Sequence, residues 1–331
     1  MKILLQSFLI VGLVTASVST PIRKAVACHH SNHFIHDLSV DLDGNDGPTK
    51  TLQRYYRYLG KGDFLKILNL VDRNVEWKVE GVEGLVPFAG TYNHRIGVLK
   101  YLFDLAWSVR INELAMRYDV TQGNIIHVHL SESGLVRKTH KHFSMEIVHT
   151  WFFDEHNRIV KFREFNNTFA MASAFDPSMD PQYALVANPA DDGIMPSSYP
   201  DAVTVGLTLY QALNDVDLNT FLAQLSNDVI WILAGPSDIT PIAGTFLGIP
   251  GVMDFLQRLF GTETYVDFGF NYLITEGSRV DSQFYEVIYV YATGKTFTCE
   301  GIHTINVNEE GKINSFRSVN DTYSVAAGHT P

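Results

Sequence analysis

The chain has 331 residues, of which 46% are hydrophobic and 18% charged, with a formal charge of −11. That length suggests two globular units, each able to bury a core. The acid excess argues against a nucleic-acid partner or an anionic membrane surface, since both recruit basic faces; two cysteines, Cys28 and Cys299, exclude a disulfide scaffold.

Residues 1–27 begin with Lys2 and an apolar run, Ile3–Val18, followed by the small triplet Ala25-Val26-Ala27. The run is too short and wrongly flanked for an anchor, and predicts a cleavable signal peptide and a secreted or extracytoplasmic protein. Residues 28–47 form an N-terminal segment with Cys28, His29, His30, His33 and His36. If cleavage follows Ala27, the new amine with His30 would suit Cu(II) or Ni(II).

Leu52, Tyr55, Tyr56 and Leu59, then Phe64, Leu65 and Leu68, recur at helical spacing, with Gly60–Asp63 breaking two helices. Val75–Val79 alternates as a strand and Phe88–Tyr92 as a shorter one. Ile96, Leu99, Tyr101, Leu102 and Leu105 predict an amphipathic helix. Strand patterns follow over Asn112–Val120, Asn124–Leu130, Lys138–Phe153 and Arg158–Thr168, with turns at Gly123-Asn124, Ser133-Gly134 and Glu155–Asn157. Helices first and a long antiparallel sheet after them predict an α+β domain.

The same order then recurs. At an offset of 154 residues, without a gap, Trp77 falls on Trp231, Pro87–Tyr92 on Pro241–Phe246, and His149, Arg163 and Asn166 on His303, Arg317 and Asn320. About thirty identities fall in about 125 aligned positions, so the chain is an internal duplication. The predicted domains are 48–176 and 202–331, joined by a Pro- and Asp-rich linker, 177–201. Copy one (48–176) has 17 Lys and Arg against 14 Asp and Glu, a charge of +3; copy two has 5 against 14, a charge of −9. Opposite signs favour the copies docking on each other as an intrachain pseudo-dimer.

A Trp-bearing first strand, Pro-x-Ala-Gly-Thr-aromatic before the third helix and a last strand ending Asn-x-Thr resemble the SnoaL-like branch of the NTF2-like superfamily. The resemblance covers nearly all of both copies. It implies two cone-shaped domains, helices packed in a curved sheet around a small-molecule cavity. It also implies the chemistry range of polyketide cyclases, ketosteroid isomerase, scytalone dehydratase and epoxide hydrolases. Phe153–Ile159 resembles the last hairpin of ketosteroid isomerase; by that match the oxyanion-donor position corresponds to His149 and His303. The general-base position falls near Trp77 and Trp231, neither of which takes a proton from carbon.

On the strand before the last hairpin Met145, Ile147, His149 and Trp151 alternate onto one face, and Phe162, Glu164 and Asn166 follow on the next strand. An imidazole beside a carboxylate suits acid/base work near neutral pH, so His149, Glu164 and Asn166 are the catalytic candidates. The plain alternative is a core histidine bonded to Asn166 or a tyrosine. Tyr56, Trp77, Met145, Ile147, Trp151 and Phe162 in copy one, and Trp231, Cys299, His303, Phe316 and Asn320 in copy two, are the candidate ligand-binding residues. Glu164 becomes Ser318 in copy two, which makes copy one the better catalytic candidate. Glu146, Arg163, Glu300 and Arg317 alternate to the opposite face and predict ion pairs where two sheets pack. His127 and His129 with His140 and His142 read as solvated histidines across a hairpin; two of them with Glu146 could hold a zinc, but no spacing matches an established site, and no cofactor is expected.

The sequence therefore predicts an exported protein binding a small, largely apolar organic molecule. Any reaction would be cofactor-independent isomerase, cyclase or dehydratase chemistry. The alternatives are a non-catalytic carrier or an interaction module using the sheet faces.

Overall fold

The computed structural model describes residues 34–40, 42, 47–185 and 202–331; the expected signal peptide, Cys28, the histidines from His29 to His33 and most of the linker lie outside the described residues.

In the first copy, helix α1 (Gly47–Lys61) buries Leu52, Tyr55, Tyr56 and Leu59 on one face, as their spacing predicts. Gly62, at φ 69°, turns the chain into the single-turn α2 (Phe64–Ile67). Then come β2 (Val71–Val79), β3 (Gly90–Asn93), α3 (His94–Ser108), β4 (Val109–Gln122), β5 (Ile125–Val136), β6 (His142–Phe153), β7 (Ile159–Asn166) and α4 (Thr168–Phe175). The second copy repeats them as α5 (Ala202–Asn214), α6 (Leu218–Ala223), β8 (Leu225–Leu233), β9 (Gly244–Leu247), α7 (Gly248–Thr262), β10 (Glu263–Glu276), β11 (Arg279–Val290), β12 (Thr296–Val307), β13 (Ile313–Asn320) and α8 (Thr322–His329). Strand order is β4-β5-β6-β7-β2-β3 in one sheet and β10-β11-β12-β13-β8-β9 in the other.

Four details differ from the sequence reading. The sheets are mixed, because β2 pairs parallel with β7 and β8 with β13; the helices between first and last strands supply the crossover that parallel pairing needs. The N-terminal segment adds β1 (Ile35–Ser39), parallel to β4. Ser133-Gly134 is not a turn but the interior of β5, and glycine is needed there because a Cβ would meet Arg110 O at 2.6 Å. Finally, each last strand runs into a helix, capped by Asn167 or Asp321 accepting from a backbone N–H three residues on.

The convex faces of the two sheets meet. Val148 and Phe165 of the first copy cluster with Ile302 and Val319 of the second. The polar contacts around them exchange residues i and i+154, the pattern of a two-fold interface. Arg163 bonds Glu300 while Arg317 bonds Glu146. Thr121 N donates to Glu276 Oε2 at 2.9 Å while Thr275 N donates to Gln122 Oε1 at 2.9 Å. Thr168 Oγ1 donates to Asp321 Oδ1 at 2.6 Å while Thr322 Oγ1 donates to Asn167 Oδ1 at 2.7 Å. The Asn-x-Thr ends of the repeats are therefore buried joints.

The symmetry is broken where the repeat places His127 and Asp281. His127 and Asp281 occupy the same place in the repeat, and His127 Nδ1 lies 2.9 Å from Asp281 Oδ2. His129 Nε2 reaches the same oxygen at 2.7 Å, and Thr304 donates to the other oxygen at 2.7 Å. Two identical copies would set His against His or Asp against Asp; the tandem chain sets base against acid. The expectation of solvated histidines is corrected here: His127 and His129 are buried, and the strand register sets His127 opposite Thr150, not across from His140. They lie on the outward face of β5, which is covered by the other copy's sheet.

Candidate functional site

Inside the first copy the inward face is packed with rings. Trp77 lies 4.1 Å from Phe162, Trp151 lies 4.4 Å from Phe162 and Tyr55 lies 4.6 Å from Trp151, between ring centroids. All four are buried, as are Tyr56, Met145 and Ile147. His149 sits among them, stacked on Tyr56 with its Nδ1 2.9 Å from the phenol oxygen. Its Nε2 faces Glu164 Oε2 at 3.5 Å, and Asn166 Nδ2 donates to the other Glu164 oxygen at 3.0 Å. Register explains the grouping, since His149 and Glu164 are direct partners across β6 and β7. Thus the structure brings His149, Glu164, Asn166 and Tyr56 together, in a core of closely packed side chains.

The second copy keeps the Tyr–His pair, with Tyr210 OH 3.0 Å from His303 Nδ1. Around it the side chains are smaller at five inward positions. Tyr55, Met145, Ile147, Trp151 and Glu164 become Leu209, Cys299, Gly301, Ile305 and Ser318. The result is a cavity of about 120 Å³, lined by Tyr210, Trp231, His303, Phe316, Ser318 and Asn320 among others. A dry apolar cavity of about 150 Å³ accepts a benzene ring, so the space suits a small organic molecule. Enlargements such as Phe221 for Ile67 and Phe268 for Leu114 give it aromatic walls. Cys299 is buried but is not among the residues that line it, and Trp231 stacks on Phe316 at 3.8 Å.

Four buried polar atoms on this wall have no hydrogen-bond partner: Thr240 Oγ1, Ser318 Oγ, Asn320 Oδ1 and Trp231 Nε1. Orphaned polar groups of this kind cost about 1–3 kcal/mol each unless a ligand or water reaches them. Burial pushes the His303 imidazole down to about 3, so it is neutral at physiological pH.

Glu286 also lines the cavity, and burial together with the nearby Glu263 pushes its carboxyl up to about 8. Glu132, its counterpart in the first copy, is likewise raised to about 8 by burial. Sequence reasoning missed this pair, although the signal was present: a Glu repeated at the common offset, on the apolar side of an alternating strand.

Among the described residues, His127, His129 and Asp281 place one ligand atom each within 4.8 Å of one another. Their atoms are engaged in the hydrogen bonds given above, and His127 Nε2 lies 3.2 Å from Tyr272 OH. The two histidines hold the Asp281 carboxyl well below the usual carboxylate range despite its burial, while burial lowers His129. The cluster reads as an interface network.

A mixed sheet packed on helices, with a cavity on the inward side of the second copy, defines an α+β fold. Residues 207–316 match the family model of the SnoaL-like domain. The second copy is a SnoaL-like domain, and the first repeats its sequence frame and its strand order. Among solved structures, an NTF2-like protein from Burkholderia xenovorans is 23% identical, covering 41% of this chain and 100% of its own, at a TM-score of 0.36. An LEH-like epoxide hydrolase from M. tuberculosis is 16% identical, covering 38% of this chain and 87% of its own, at a TM-score of 0.31. TerC, crystallised with polyporic acid, is 22% identical, covering 39% and 97%, at 0.34. No curated protein matches the chain.

Proposed function

We propose that the second copy is the working half of an exported protein and binds a small, largely apolar organic molecule in its cavity. The observation that carries this reading is the cavity of about 120 Å³ with unpartnered polar atoms on an aromatic wall. The apolar wall supplies affinity and the few polar groups fix orientation. The first copy, filled with its own rings, supports the second by docking sheet to sheet as an intrachain pseudo-dimer. Export rests on the N-terminal sequence pattern; no helix among the described residues is long and apolar enough to cross a membrane.

Acid/base chemistry of the isomerase, cyclase or dehydratase kind is the second reading. It is favoured in the cavity by Glu286, whose carboxyl keeps its proton at neutral pH and sits within the same walls as the neutral His303. In the first copy the same reading rests on His149, Glu164 and Asn166.

Native mass spectrometry of protein purified from its source tests the binding reading. The wild-type chain should retain a small molecule that Leu209→Phe, which restores a ring where Tyr55 stands in the first copy, releases. Retention unchanged by Leu209→Phe would sink the cavity as the binding site.

A further inference from the structure

We propose that the second copy's cavity takes an organic cation, a protonated amine on an apolar ring or chain, with Glu286 as its counter-charge. The proposal rests on that cavity being the binding site and narrows its ligand to one charge class.

Three observations converge. First, Glu286 is on the inward side of β11, 8% exposed, and lines the cavity. The ionisable groups that bear on it are Glu263 and Tyr265 from β10, Cys299 from β12 and Tyr210 from α5, none of them a cation. Glu263 has a partner in His329, whose Nε2 lies 2.8 Å from Oε2. Among the described residues that line the cavity there is no Lys or Arg, and His303 is uncharged. A carboxyl in such a place loses its proton readily only if a positive charge arrives.

Second, the wall is aromatic, with Tyr210, Trp231, Phe255, Phe268 and Phe316 among its residues. Ring faces attract cations, more so where water is excluded. Third, this copy holds 14 acidic against 5 basic residues, a field that draws cations and repels anions. The first copy is an internal control. Its Glu132 has the same strand position and the same raised carboxyl, but Tyr55, Trp151 and Met145 fill the space a ligand would need.

A pH dependence follows. With Glu286 pushed up to about 8 before binding, an amine that requires the carboxylate displaces one proton below that pH. Its affinity then falls roughly tenfold per pH unit on acidification, whereas that of a neutral molecule of the same shape does not.

Isothermal titration of the full chain with 2-phenylethylamine and with 2-phenylethanol, at pH 8.5 and 6.5, tests this. At pH 8.5 the amine should bind at least tenfold tighter than the alcohol, and the preference should shrink at pH 6.5. Glu286→Gln should abolish the preference, while Glu132→Gln should leave both affinities unchanged. Equal or tighter binding of the alcohol to the wild-type chain at pH 8.5 would overturn the cation assignment and leave the cavity reading standing. Failure of both probes to bind would overturn the cavity reading and the cation assignment together.

Discussion

In the first copy the rings of Tyr55, Trp77, Trp151 and Phe162 interlock at centroid distances of 4.1–6.0 Å. In the second, Leu209, Trp231, Ile305 and Phe316 occupy the same places, and a cavity of about 120 Å³ opens beside them. Strand order, the Tyr–His pair and the buried Glu are common to both. What differs between the two interiors is the side-chain volume summed over a handful of inward positions. Because the interior is close-packed, a few large-to-small exchanges leave space that neighbours do not recover.

The largest effect expected from breaking this comparison is at Trp151. Trp151→Ala should hollow the first copy and cost about 3–5 kcal/mol of stability by chemical denaturation. A loss under about 1 kcal/mol would mean that the ring cluster is not what fills the first cone.

Next comes the asymmetric joint at His127 and Asp281. Asp281→Asn leaves both histidines without their acceptor charge, at a cost of about 1–3 kcal/mol near neutral pH. The sign of the pH dependence is fixed by the shifts. Asp281 is depressed from its ordinary 3.8, so its contribution is present above that pH and is lost as pH falls below it. His129 is depressed from 6.5, so acidification below that value also destabilises the fold. Denaturation curves should therefore show wild-type stability falling below about pH 6.5. They should also show Asp281→Asn losing less than wild type on going from pH 4 to pH 2; parallel curves there would remove Asp281 from the account.

The smallest effect distinguishes the two copies of one ion pair. Arg317 and Glu146 are 5% and 8% exposed, whereas Arg163 and Glu300 are 10% and 32% exposed. Glu300→Ala should cost less than about 1 kcal/mol, as partly solvated pairs do. A thermal-melt loss as large as that of Glu146→Ala would show that the interface is uniformly dry.

Much of this was legible in the sequence. The offset of 154 residues put His149 over His303 and Arg163 over Arg317, and alternation assigned each to the correct sheet face. Helical spacing found the buried face of α1. The closing parallel pairs were not legible, because strand patterning carries no information about which strand is the neighbour. Glu132 and Glu286 escaped notice because Ser133-Gly134 reads as a turn, which ends the predicted strand at Leu130 and leaves Glu132 outside it, whereas β5 runs on to Val136.

By itself, then, the sequence determined the duplication, the order of most elements and the faces on which most side chains lie, since these follow from local periodicity and an internal frame. Only the tertiary structure decided where the second copy's cavity opens. Cavity volume depends on side chains from several strands and helices meeting at one point, and no single segment records it. The same holds for the joint between the copies: His127 and Asp281 read as an unmatched repeat position until folding set one against the other, 2.9 Å apart.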